Sequence, residues 1–84
     1  MREEDILDID GRIIGEVLTS LCLGDWLSTR DIHRTAEGTY GGYISRVTVL
    51  RILHAGADDR VIERKRQWAP HRDIQYWRWV GEDA

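Results

Sequence analysis

The chain has 84 residues, 42% of them hydrophobic, and its 12 Lys and Arg stand against 15 Asp and Glu for a net charge of −3. That length holds one core, which excludes a large sugar-, nucleotide- or redox-enzyme fold. The acidic balance excludes a strongly basic tail, a histone-like arm and a polybasic membrane anchor, but it leaves open a local positive field on one face.

Cys22 is the single cysteine, so no internal disulfide can form and a stapled secreted scaffold is disfavoured. No apolar stretch approaches the roughly 18 residues that suggest a membrane span. The opening Met1-Arg2-Glu3-Glu4-Asp5 is too acidic for a secretory signal peptide. The expectation is a cytoplasmic protein with one domain over residues 1–84. Its secure core lies at about 12–80, behind an acidic lead-in at 1–11.

The net charge hides an asymmetry. Residues 1–16 hold six acids and two arginines, a local −4, whereas residues 28–80 hold ten cations and six acids, a local +4. Eleven of the twelve cations are Arg, the better residue for planar, bidentate contacts to phosphate or guanine. Genomic bias or solubility is the plainer reading of the same composition.

Ile6, Ile9, Ile13, Ile14, Val17, Leu18 and Leu21 recur at three- and four-residue steps and predict a helix, secure over about 12–22. Asp10-Gly11 serves as an interruption or as a start signal, and Gly24 suits a left-handed position after the helix. Trp26-Leu27 is a short extended pair, expected to bridge to a later hairpin. Ser28 or Thr29 then caps a second helix, with Asp31 three residues on in a weaker capping box, and Gly38–Gly42 ends it. Ser45 caps the third and clearest helix, stapled by Ile44. Val49, Ile52, Leu53 and Gly56-Ala57 fall on its core face, while Val47, Thr48, Arg51 and His54 point mostly away. Val61–Arg64 starts a strand, Gln67–Asp73 is a polar turn holding Pro70, and Ile74–Val80 returns as a strand.

The order of helix, extended pair, helix, turn, helix and hairpin resembles the winged helix-turn-helix fold. The residues that carry the resemblance run from Ile44 to Arg64: the capping Ser45, Thr48-Val49, the core-facing Leu53 and the apolar pair Val61-Ile62 that starts the wing. Ser28–Ala36 is similar to the family's second helix. Two departures stand out: Arg60 sits where the family often has Gly, and the link at 38–43 is longer than the tightest helix-turn-helix linker. The resemblance implies an α+β fold, three helices followed by a two-stranded β-hairpin wing. It also implies double-stranded DNA binding by a small transcription regulator, as a homodimer on a palindromic site.

By the family's geometry the start of the third helix enters the major groove. Arg46, Val47, Thr48 and Arg51 become the base-reading positions, with Arg51 forked onto guanine and Val47 against a thymine methyl group. Solvated helix surface is the alternative for Arg46 and Arg51. The resemblance gives Arg30, Arg34, Tyr43, Ser45, Arg64, Lys65, Arg66 and Arg72 to the DNA backbone or the wing. For Tyr43, a ring packed over the helix start is an equal alternative, and for His33 a plain surface role is favoured. Strand alternation sends Arg64 and Arg66 to one face and Lys65 to the other.

Trp77 and Trp79 share one face of the last strand and Ile74, Tyr76 and Val80 the other. That aromatic excess predicts a partner or homodimer surface at Trp77 and Trp79. Trp26 is expected at the hairpin base and Trp68 as an anchor of the wing loop. Cys22, His33, His54 and His71 lack metal-site spacing, and no phosphate loop or dinucleotide fingerprint occurs. Neither metal nor cofactor nor catalysis is expected, and Cys22 is placed in or near the core. Two other functions compete with DNA binding. One is a winged-helix interaction module, of a kind suited to a mobile element or virus. The other is a single-stranded nucleic-acid binder, supported by the interleaving in Trp77-Arg78-Trp79.

Overall fold

The computed structural model describes residues 8–70 and 72–81. Outside them lie most of the acidic lead-in, with Ile6 of the first periodic stretch, together with His71 and the expected frayed end at 82–84. In chain order the elements are α1 (Gly11–Leu21), β1 (Leu27–Ser28), α2 (Thr29–Tyr40), α3 (Arg46–Asp58), β2 (Ile62–Ala69) and β3 (Arg72–Trp79). The architecture is α+β, a helix-turn-helix followed by a β-hairpin wing. β1 adds to the hairpin and makes a three-stranded antiparallel sheet of order β1-β3-β2. No described helix is long and apolar enough to cross a membrane.

Each helix starts on a short polar side chain that satisfies an orphan backbone donor. Asp10 Oδ1 accepts from Arg12 N at 2.9 Å, Ser28 Oγ from Asp31 N at 3.2 Å, and Ser45 Oγ from Thr48 N at 3.1 Å. Ile44 and Val49 are both buried at the start of α3, the spacing of a hydrophobic staple. The C-terminal ends depart from expectation. Gly24 does not take a positive φ, because α1 ends on Cys22 in the right-handed region. α2 runs through Gly38 and stops at Gly41, whose φ of 77° supplies the left-handed cap, with Gly41 N donating to Glu37 O at 2.9 Å.

α3 ends in a Schellman motif. Arg60 N donates to Ala57 O at 3.1 Å and Val61 N to Gly56 O at 3.0 Å, with Arg60 at φ 63°. This accounts for the first departure from the resembled family: Arg60 occupies the left-handed conformation that Gly adopts without steric cost. Gly56 is a close-approach position, where a Cβ would overlap the Cδ1 of the buried Ile62.

The core joins Val17 and Leu21 of α1, Ile32 and Ala36 of α2, Val49, Ile52, Leu53 and Ala55 of α3, then Ile44, Ile62 and Trp77. Ala55 is buried where the sequence pattern favours Ala57, which is half-buried. Cys22 is exposed rather than near the core, because it lies past the last turn of α1 with its Sγ–H on Leu18 O at 3.6 Å.

The hairpin is longer than the sequence suggests. Pairing runs from Ile62↔Trp79 to Ala69↔Arg72, so Gln67, Trp68, Ala69, Arg72 and Asp73 of the turn expected at 67–73 belong to strands. β1 pairs only with Tyr76 and Trp77. The segment Arg72–Gln75 therefore extends past the end of β1.

Candidate functional site

Alternation from the buried Ile62 and Trp77 defines the two faces of the wing. Ile62, Arg64, Arg66 and Trp68 lie on the helix-facing side, opposite Trp79, Trp77, Gln75 and Asp73 in register. Glu63, Lys65 and Gln67 lie on the outer side with Arg78, Tyr76 and Ile74. The run Arg64-Lys65-Arg66 is thus divided between faces as its alternation predicts.

Trp77 overturns its assignment to a partner surface. It is fully buried, its Nε1–H donates to Thr29 Oγ1 at 2.8 Å, and His54 meets its ring edge-on at a centroid distance of 5.2 Å. Trp79 is half-buried and packs against the same core. The wing crosses the helices with this face inward, so the two tryptophans fill the core. The Trp77-Arg78-Trp79 interleaving consequently forms no row of stacking platforms. Arg78 is also held, by Glu63 at 2.9 Å and Asp25 at 3.6 Å, with its guanidinium over Trp26 at 4.6 Å. The Glu63 hydrogen bond holds Arg78 above its ordinary pKa. Lys65 Nζ lies 4.4 Å from the Trp26 ring centroid. Trp26 therefore sits at the hairpin base as expected, between two cations. Trp68 does not anchor the loop; it is 76% exposed.

The four base-reading candidates divide. Arg46 and Val47 are exposed at the start of α3. Thr48 is half-buried and shares a 2.7 Å hydrogen bond between its Oγ1 and Ser45 Oγ, which commits both hydroxyls to the helix cap. Arg51 is engaged by the lead-in. Its Nη1 and Nη2 donate to Asp8 Oδ2 and Oδ1 at 3.1 and 2.7 Å, a bidentate pair. The Arg51 hydrogen bonds hold the Asp8 carboxyl below the ordinary carboxylate range. Tyr43 is 82% exposed, so its ring does not pack over the helix start.

Arg30, Arg46 and Arg72 meet along one groove. It has a volume of about 520 Å3 and lies between the start of α2, the start of α3 and the β3 segment beyond β1. Thr29, Gln75 and Tyr76 share its walls. Among the described residues Arg30, Arg34, Arg46 and Arg72 form no ion pair, whereas Arg66 is bound to Asp73 at 2.6 Å. Arg64 stands over Trp77 at 6.0 Å.

One positioning device escapes the sequence pattern. His33 Nε2–H donates to Ile44 O at 2.6 Å, and Glu37 Oε2 accepts from Ile44 N at 3.0 Å. Both backbone groups of the residue that leads into α3 are therefore fixed from α2. The i,i+4 spacing of His33 and Glu37 is visible in the sequence, but their common target is seven or more residues away and becomes visible only in the fold. Among the described residues no group of three or more His, Cys, Asp and Glu is placed to hold a metal. Comparison with family models, with curated proteins and with solved structures finds no match to this chain.

Proposed function

We propose that this chain is a winged helix-turn-helix protein that binds double-stranded DNA as a small sequence-specific transcription regulator, with no catalytic role. The observation that carries the reading is the exposed start of α3, where Tyr43, Arg46 and Val47 face solvent and Arg46 shares a groove with Arg30 of α2 and Arg72 of β3, none of the three ion-paired among the described residues. A duplex requires a narrow element for the major groove and cations for the flanking phosphates. In this reading Arg46 and Val47 meet base edges, while Arg30, Arg34, Arg64 and Arg72 meet backbone phosphates. Thr48 and Ser45 hold the helix start. Arg51 joins the interface only if the Asp8 contact opens. A homodimer on a palindromic site remains part of the proposal, with α1 and the exposed Leu23 as its surface in place of Trp77.

Duplex binding measured across a salt series tests this. The expected result is an affinity that falls steeply as salt rises, with a slope set by the number of phosphates neutralised. Absence of duplex binding at low salt ends the reading. The exposed Trp68, on the same wing face as Arg64 and Arg66, favours a second reading in which that face meets an acidic protein. Capture of a defined acidic partner without duplex binding would select it.

A further inference from the structure

The acidic lead-in reaches α3 at Arg51. Asp8 Oδ1 accepts from Arg51 Nη2 at 2.7 Å and Asp8 Oδ2 from Nη1 at 3.1 Å. The carboxylate thus offers two acceptors side by side to one guanidinium fork. Guanine offers its O6 and N7 to such a fork in the major groove. While both Nη groups hold Asp8, they are not available to a base.

The fold seats this carboxylate on α3. Ile9, the next residue, packs against the core, and Asp10 caps α1 through Arg12 N at 2.9 Å. Asp8 therefore stands directly before two anchored residues, over the second turn of α3. Arg51 follows Val47 by four residues, so the two share one side of the helix, and Val47 is exposed there. That is the side of α3 that meets base edges in the duplex reading. The lead-in also carries Glu3, Glu4, Asp5 and Asp10 against Arg2, a charge balance that opposes phosphate approach. As a fastening the pair has little value. Asp8 is 71% exposed and Arg51 40%, and exposed ion pairs add little to stability. Its larger consequence is for what Arg51 can bind.

We propose that Asp8 makes an autoinhibitory contact, occupying Arg51 in the free protein so that it must be displaced before Arg51 reads a base. This regulation rests on the duplex reading. Asp8 acts as an internal competitor and lowers affinity for a site that presents guanine to Arg51.

The test compares the full chain with Asp8→Asn, Arg51→Ala and the double variant on one duplex, selected from a random pool with the Asp8→Asn chain. Asp8→Asn is expected to bind about two- to fivefold more tightly than the unmodified chain. Asp8→Ala, which keeps no hydrogen-bonding group, should give the same gain. In the Arg51→Ala background the gain is expected to vanish, and denaturant midpoints check that each variant folds. NMR of the Asp8 carboxyl carbon in the unmodified chain is expected to show a shift as duplex is added. An equal gain with and without Arg51 would reduce Asp8 to simple repulsion of phosphates and overturn the proposal. No gain, a loss, or an unmoved Asp8 signal at saturation overturns it while leaving duplex binding intact. No duplex bound by any variant removes the duplex reading and the proposal with it. Duplex bound only once Asp8 is replaced supports both.

Discussion

The root of the wing and the start of α3 use the same residue types to opposite ends. At the root, Trp26 lies between Lys65 and Arg78, Arg78 is tied to Glu63 and Asp25, and Trp77 is buried against Thr29 and His54. At the start of α3, Tyr43, Arg46 and Val47 face solvent. Aromatic and cationic density therefore marks where this small fold is fastened, and the sparser patch is the one that stays exposed. A count of arginines by itself would have ranked the two regions the other way.

The sharpest way to break this comparison is Trp77→Ala. Loss of a buried Trp and of the Thr29 bond is expected to cost about 3–5 kcal/mol, read as a drop in the denaturant midpoint. A loss under about 1 kcal/mol would mean that the root is not the fastening. Next comes Arg46→Ala, expected to leave the midpoint unchanged and to cost about 1–3 kcal/mol of discrimination at one base pair of a preferred duplex. An equal loss of affinity on all sequences would move Arg46 from base reading to phosphate contact.

Arg60→Gly is a smaller change at the junction of the two regions. Relief of the left-handed conformation is expected to stabilise the chain by up to about 1 kcal/mol, visible as a higher midpoint. A fall would show that the Arg60 side chain contributes more than its backbone costs. Lys65→Ala is expected to reduce the salt slope of duplex binding by at most about one, without re-ranking sequences, because Lys65 rests on Trp26.

The smallest effect concerns Asp8. Its carboxyl is held below the ordinary range by Arg51, so the contact is complete at neutral pH and is lost only as pH falls through that depressed value. An NMR titration of the Asp8 carboxyl should give a midpoint below that of an ordinary Asp, and Arg51→Ala should raise it. An unmoved midpoint would sink the pair as an ordered contact in solution.

Much of the fold is legible in the sequence because its signals are local. Ser28, Ser45 and Asp10 cap their helices through atoms two or three residues away. The core face of α3 follows from 3.6-residue spacing. The end of α2 is less legible, since Gly38 and Gly41 both look like stops and only backbone φ distinguishes them. The sequence pattern overextends the wing turn because Gln67, Trp68 and Asp73 read as polar or irregular, whereas the ladder to Ala69↔Arg72 incorporates them. The candidate site is legible only in part. Arg46 and Val47 stay exposed as their helix positions suggest, but nothing near Arg51 in sequence announces a partner 43 residues away.

By itself, then, the sequence determined the order of elements, the starts of the helices and the division of Arg64 and Lys65 between faces, since each depends on contacts or periodicity within a few residues. Tertiary structure decided which arginines are engaged, that Trp77 belongs to the core, and that residues from α2, α3 and β3 share one groove. Those outcomes depend on pairings between segments far apart in the chain. The −3 total and its acidic and basic halves describe charge along a line, whereas availability depends on which carboxylate or ring each cation meets once the line is folded.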